Sequence, residues 1–286
     1  MFDALPAGPV VLLGLGAALT WGAADFGGGL ASRRAPLLGV TLFGQAIGLL
    51  IALGLWAVRG EAVPGPTDIA WAVLGGLFGA VGIASLYQAL AVGPMSVVAP
   101  VIGVIGASLP VFVGVVLEGV PPPIVVLGIV LALVAVVLVS TGAGGGDGGR
   151  RGLLIAVVAG IAIGLFSVVI SRVGEGLVFG PLVIVRAVAT LIFVATIALG
   201  RHGWRVSRPA WALVASVALF DLLGNGSFVA ATQAGELAVA AVLSSLYPVA
   251  TVVLAAVVLR ERIAGRHAVG ILTAGVAIAC IAGGST

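Results

Sequence analysis

Apolar runs of about twenty residues recur along the whole chain, separated by short stretches that hold most of the prolines and nearly all of the charges. A helix rising about 1.5 Å per residue crosses the hydrocarbon core of a bilayer in a run of that length. Punctuation by charge, Pro and Gly defines ten helical candidates, at 9–30, 37–58, 69–90, 95–117, 122–141, 152–172, 178–199, 210–232, 237–259 and 266–284. Most connections are short. The most flexible is TGAGGGDGGRR, Thr141 to Arg151, at the midpoint. The chain therefore divides into a first five-helix unit, 1–141, a Gly-rich linker, 142–151, and a second five-helix unit, 152–286.

The two units resemble one another at a nearly constant offset of 142 residues. GIVLALVAVVLVSTG, Gly128 to Gly142, lies over GILTAGVAIACIAGG, Gly270 to Gly284, with six identities in fifteen. Gly82, Ser85, Ala89 and Gly93 fall on Gly224, Ser227, Ala231 and Gly235. With small shifts Trp71 matches Trp211, Pro36 matches Pro181 and Glu118 matches Glu261. An odd number of spans per unit makes the second enter from the opposite side, so the repeats are inverted. That arrangement places a site near the midplane, where the units meet. The expected fold class is an all-α integral membrane protein, with ten transmembrane helices in two inverted five-helix repeats.

Composition agrees: 61% of the 286 residues are hydrophobic and 8% charged, against roughly 25% charged in soluble domains. Little length is left for a folded aqueous domain. All 13 basic residues are arginine, so a GxxxxGK phosphate loop is absent and the chain is not expected to hydrolyse nucleotides. The net charge of +3 comes from arginines scattered between apolar runs, with no basic face for nucleic acid. Cys280 has no partner for an internal disulfide and is read as packing. His202 and His267 lie in expected loops without ligand-spaced neighbours, so no metal site and no cofactor are expected. The opening MFDALPAGPVVLLGLG lacks a positive n-region and does not read as a cleaved signal peptide.

Apart from the end residues Arg172 and Arg266, only three charged residues fall inside the spans, and an ionisable group at bilayer depth asks for a partner or a purpose. Arg186 and Asp221 both sit close to the middle of their helices, at similar depth, and are expected to pair beside the central cavity. Asn225, at i+4 from Asp221, shares its face. Asp25 lies one turn after Trp21, and the two candidate roles for it are proton coupling or cation recognition, and a carboxylate serving its own helix near GGG, Gly27 to Gly29. Trp21 is read chiefly as packing. Tyr247 precedes Pro248, and a proline that interrupts a helix at midplane often borders a site. Asp25, Arg186, Asp221, Asn225, Trp21 and Tyr247 make up the expected substrate-binding or coupling set; no catalytic or metal-ligating residue is expected. Gln45, Tyr87, Gln88 and Gln233 are read as interhelical hydrogen-bonding groups. The GxxxG spacings Gly44/Gly48, Gly75/Gly79 and Gly160/Gly164 are read as close packing within a monomer.

TWG in the first helix, Pro100 to Gly106 in the fourth, SLYPV and LRERI around the ninth and GILTAGV in the tenth resemble the drug/metabolite transporter superfamily, in particular its ten-helix EamA-type exporters. The resemblance implies a basket of ten helices around a central cavity and the export of amino acids, metabolites or drugs. EGVPPP, after the fourth helix, departs from the family pattern in its three prolines. The resemblance also implies that both termini are cytoplasmic. Arginine counts oppose it, with ten on the side away from the termini and two on the side that carries them; the family topology is the expectation carried forward.

The expected function is secondary active transport of a small organic metabolite, amino acid or drug, outward, by alternating access. A channel or lipid scramblase is the alternative, and an intramembrane enzyme is disfavoured because the spans contain no glutamate, no histidine beyond their end turns and only two aspartates, on helices remote in sequence. The expected partners are a small-molecule substrate, the lipid bilayer and protons as coupling ion, with no nucleic acid and no second protomer. The expected location is the cell membrane, as a multi-pass protein of a bacterial inner membrane.

Overall fold

The structure, a computed structural model, describes residues 8–92, 95–140, 147–200, 203–258 and 265–284. LRERI, His202, residues 142–146 of the linker and Thr286 lie outside them. Among the described residues the chain is all helical. In order the elements are α1 Gly8–Ser32, α2 Leu37–Arg59, α3 Pro66–Val92, α4 Met95–Glu118, α5 Pro123–Ser140, α6 Asp147–Ile170, α7 Phe179–Gly200, α8 Trp211–Ala234, α9 Leu237–Ser244, α10 Tyr247–Val258 and α11 Gly265–Gly284. Seven are long and apolar enough to cross a membrane, and shorter apolar runs cover Pro123–Ala135 and Leu237–Thr251.

Two elements differ from the sequence reading. The ninth span is not one helix: α9 ends at Ser244 and α10 begins at Tyr247. Pro248 has no N–H to offer the Ser244 carbonyl, and its ring clashes with a continuous helical backbone. The sixth helix starts at Asp147, not at residue 152, so residues 147–151 of the expected linker are helical. Elsewhere helix ends fall where local chemistry puts them. Gly60 stops α2 with φ 61° and ψ 32°, its N–H donating to Trp56 O at 3.1 Å, a left-handed residue that costs glycine little.

The packing obeys the exchange of the two units. α1 lies along α8 as α3 lies along α6; α2 faces α7, α4 faces α9, and α5 faces α11; α3 with α7 is matched by α8 with α2. Each pairing maps onto itself or another when the units are swapped, as an inverted repeat requires. Large apolar side chains such as Leu50, Phe112 and Leu191 are exposed on the outside, the surface a hydrocarbon solvent permits.

Small residues let the helices approach. A Cβ on Gly160 would lie 2.7 Å from Ile105 Cβ and 3.2 Å from Ile102 O, so α6 meets α4 almost backbone to backbone there. Gly164 repeats the contact one turn on, 3.0 Å from Gly106 O. Gly44 behaves differently from the sequence reading, with no atom within 4 Å of its would-be Cβ. Gly160→Leu should therefore overpack the α4–α6 seam and cost about 1–3 kcal/mol, whereas Gly44→Ala should be neutral. Thermal unfolding of the two variants in detergent checks this; equal transition temperatures would refute the packing assignment.

Candidate functional site

Where the units join, α1, α2, α3, α6, α7, α8 and α10 enclose a cavity of about 90 Å³. At roughly 10–15 Å³ per water by this measure, that is room for about six to nine waters, the scale of a small organic molecule. Its walls are largely apolar, with Ile83, Leu86, Ile163, Phe166 and Val185, and its polar groups converge from both units. All six residues singled out in the sequence line it: Trp21, Asp25, Arg186, Asp221, Asn225 and Tyr247.

Arg186 comes off α7 and is almost fully buried, its side chain 2% exposed. Its Nη1 lies 2.6 Å from Asp221 Oδ2 and donates to Gln45 Oε1 at 2.9 Å. A short charge-assisted bond of this kind offsets part of the cost of burying both ions. Asn225 fixes the acid in turn, its Nδ2 donating to Asp221 O at 2.8 Å and to Asp221 Oδ1 at 3.3 Å. On the other side α2 makes room with a glycine: a Cβ on Gly48 would sit 3.4 Å from both Nε and Nη1 of Arg186. Gly48, read from the sequence as helix packing, serves the guanidinium.

The guanidinium is not saturated. Nε and Nη2, the two nitrogens that together present a fork to a carboxylate, are buried and find no hydrogen-bond partner among the described residues. Asp25, 6% exposed on α1, makes no hydrogen bond or ion pair among them either. The site thus combines one satisfied ion pair with a cationic edge and a carboxylate that have no internal partner. Tyr247 OH, beside the break between α9 and α10, is likewise buried and unpartnered.

Trp21 and Tyr247 are set by glycines. The indole lies over Gly224, where a Cβ would collide with it, and stacks at 5.5 Å on Phe228. Gly22, next in the TWG motif, lets α1 meet the start of α10: its would-be Cβ is 2.7 Å from Tyr247 O, and Thr251 Oγ1 donates to Gly22 O at 3.1 Å. Sequence reasoning gave Gln45 only a generic hydrogen-bonding role and passed over Gly22, Ile163 and Phe166. A glutamine inside a span was the available signal for Gln45; the others carry none without their neighbours. Of the other polar residues, Gln233 holds the loop before α7, accepting from Gly176 N–H and donating to the carbonyls of Gly174 and Leu177. Tyr87 packs its ring against Gly28. Glu118 serves the fold, its Oε2 accepting from Leu237 N–H at 2.8 Å at the start of α9.

The repeat places these groups against a plain background. At the offset of 142 the counterpart of Asp221 is Gly79, which lines the same cavity, and the counterpart of Trp21 is Ile163, which does too. With the shift that aligns the prolines, the counterpart of Arg186 is Thr41, whose hydroxyl donates to Leu37 O in its own helix at 3.0 Å. One scaffold, used twice, carries its charge pair once.

Comparison with known proteins agrees with this architecture. A family model described as the EamA-like transporter family matches twice, over residues 8–141 and 150–283. A solved crystal structure aligns with 20% sequence identity and a TM-score of 0.74, covering 96% of this chain and 96% of its own, a likeness of fold. A search of the curated proteins gave no match. Two copies of one transporter model, laid end to end over the two helical units that enclose the cavity, establish that this multi-pass membrane chain belongs to the EamA-like transporter family.

Proposed function

We propose that this chain is a secondary active exporter in a bacterial inner membrane that moves a small zwitterionic or cationic organic molecule by alternating access of its two units. The carrying observation is a pair of groups in one cavity: the Nε/Nη2 edge of Arg186, buried and without a hydrogen-bond partner, and the carboxylate of the buried Asp25, which makes no hydrogen bond or ion pair among the described residues. Buried polar groups without partners are costly. A ligand bearing a carboxylate and an ammonium satisfies both, and a ligand with only the cation satisfies Asp25. Asp221 holds Arg186 when the site is empty and turns to the substrate when it is loaded. Asn225 and Gln45 keep the pair in register, while Trp21 and Phe166 supply apolar surface for the rest of the molecule.

Asp25 is the candidate for coupling. A carboxylate without an internal partner in a mostly apolar cavity can take up and release a proton at little structural cost, which is what a proton-driven cycle needs. In proteoliposomes, an imposed pH gradient should drive saturable accumulation of labelled amino acids or organic cations, with counterflow. Flux that neither saturates nor supports counterflow would replace this reading with a channel or scramblase. Activity in detergent without vesicles would replace it with an enzyme.

Two variant sets separate the roles. Asp25→Asn should permit exchange while abolishing gradient-driven accumulation; normal accumulation would make Asp25 structural. Asp221→Asn or Arg186→Gln alone strands a buried polar partner at a cost of about 3–5 kcal/mol, less where the carboxylate protonates. The double variant should recover thermal stability relative to either single change, yet remain inactive. A double variant that transports at the native rate would show that the pair is structural.

A further inference from the structure

The carboxylate bonds that cross from one unit to the other gather at the end of the bundle where the chain termini lie. Glu61, between α2 and α3, has its side chain 3% exposed. Its Oε2 accepts from the N–H groups of Val178, Phe179 and Gly180 at 3.1, 2.7 and 3.1 Å, capping the open start of α7 in the other unit. Its Oε1 lies 3.3 Å from Arg59 Nε, and the Arg59 guanidinium sits 5.6 Å from the centre of the Phe179 ring. Asp68, in the first turn of α3, accepts from Gly174 N–H at 2.9 Å through Oδ1 and from Gly65 N–H at 3.2 Å through Oδ2. Two acids of the first unit therefore hold the loop and helix start of the second that lead directly to Arg186.

The inverted repeat says where the same device belongs at the other end. Offsets of 140 to 145 carry Glu61 into residues 201–206, RHGWRV, and Asp68 into residues 208–213, RPAWAL. Neither stretch contains an acid. What the described residues show at that end is aromatic: Phe43 packs on Trp204 and Trp211 with ring centres 6.1 and 4.5 Å apart. The scaffold is symmetric, and among the described residues the fastening by Glu61 and Asp68 is not.

We propose that Glu61 and Asp68 form a one-sided latch. They shut the units together at the termini end, set the height of α7, and leave the resting cavity to exchange through the opposite end, which carries Arg33, Arg34, Arg205 and Arg208. Glu61 is thereby a positioning residue for Arg186. Phe179 and Arg186 are seven residues apart on α7, about two turns and a rise of about 10 Å along the helix axis. Opening at the termini end requires the α7 start to leave the Glu61 carboxylate, which keeps Arg59 as its partner. Opening at the arginine-rich end breaks no such bond among the described residues. The proposal rests on the alternating-access reading, but its readout is conformational and does not depend on transport.

The test uses the full chain in liposomes, with Cys280→Ser and a single new cysteine from Gly79→Cys, where a Cβ enters the cavity at an ordinary 3.5 Å from Phe166. A membrane-impermeant maleimide is applied to each face, with orientation assigned by protease cleavage of a tag after Thr286. The cysteine should react about tenfold faster from the arginine-rich face. Adding Glu61→Gln with Asp68→Asn should raise labelling from the termini face by about tenfold, while Glu61→Asp, which keeps the charge, stays near the parent. Equal rates from both faces in the parent would overturn the latch, as would unchanged sidedness in the double variant. If that variant does not fold, the sidedness of the parent still decides. Sided labelling in a protein that carries no substrate would support the latch and refute the transport reading; transport with unsided labelling would do the reverse.

Discussion

A guanidinium at the depth of the hydrocarbon core cannot find water, and it cannot lose its charge as a carboxylate can. Arg186 is the residue around which the interior is arranged. Asp221 answers its charge, Gln45 accepts from the same nitrogen, and Gly48 withholds a side chain where Nε and Nη1 come close to α2. Asn225 holds Asp221 from one turn further along α8. The ion pair itself lies within the second unit, between α7 and α8, and the bond from Arg186 to Gln45 on α2 ties it to the first. A polar junction that resolves differently in two arrangements is what a moving scaffold can use, whereas a purely apolar seam offers no such choice.

Much of this was legible in the residues themselves. The span pattern, the repeat and its inversion follow from spacing, because hydrocarbon forbids unsatisfied backbone and leaves helices as the economical solution. Arg186, Asp221 and Asp25 stood out because charge at that depth is rare. What stayed hidden depended on contacts far apart in the chain. Glu61 is an ordinary loop acid until α7 is brought to it from 117 to 119 positions away. Gly48 looked like helix packing because spacing cannot say whether a vacancy is filled by a neighbouring backbone or a side chain. The break in the ninth span was signalled by Pro248, but a proline can kink a membrane helix without ending it, and the approach of Gly22 to Tyr247 that seats the start of α10 on α1 carries no mark in the sequence.

Duplication explains the ease with which the fold accommodates such a site. Because Gly79 and Thr41 occupy the sister positions without charge, the packing of α3 and α2 owes nothing to ion pairing. The structural half of the design is carried by repeated small residues, Gly82 with Gly224 among them, and the chemical half by departures from the repeat. Arg186 and Asp221 at the cavity, and Glu61 and Asp68 at one end of it, are such departures.

The interrupted ninth span also divides one membrane crossing into two regimes of sequence freedom. Every residue of α9, Leu237 to Ser244, is buried, so each is hemmed in by α1, α4 and α5 and any change of volume is felt by protein. Past the turn, Val253, Val257 and Val258 are exposed on α10, where lipid tails accept one apolar side chain as readily as another. Neutral drift should therefore accumulate on the lipid-facing valines of α10, while Tyr247 and Thr251, buried at its start, remain as constrained as α9.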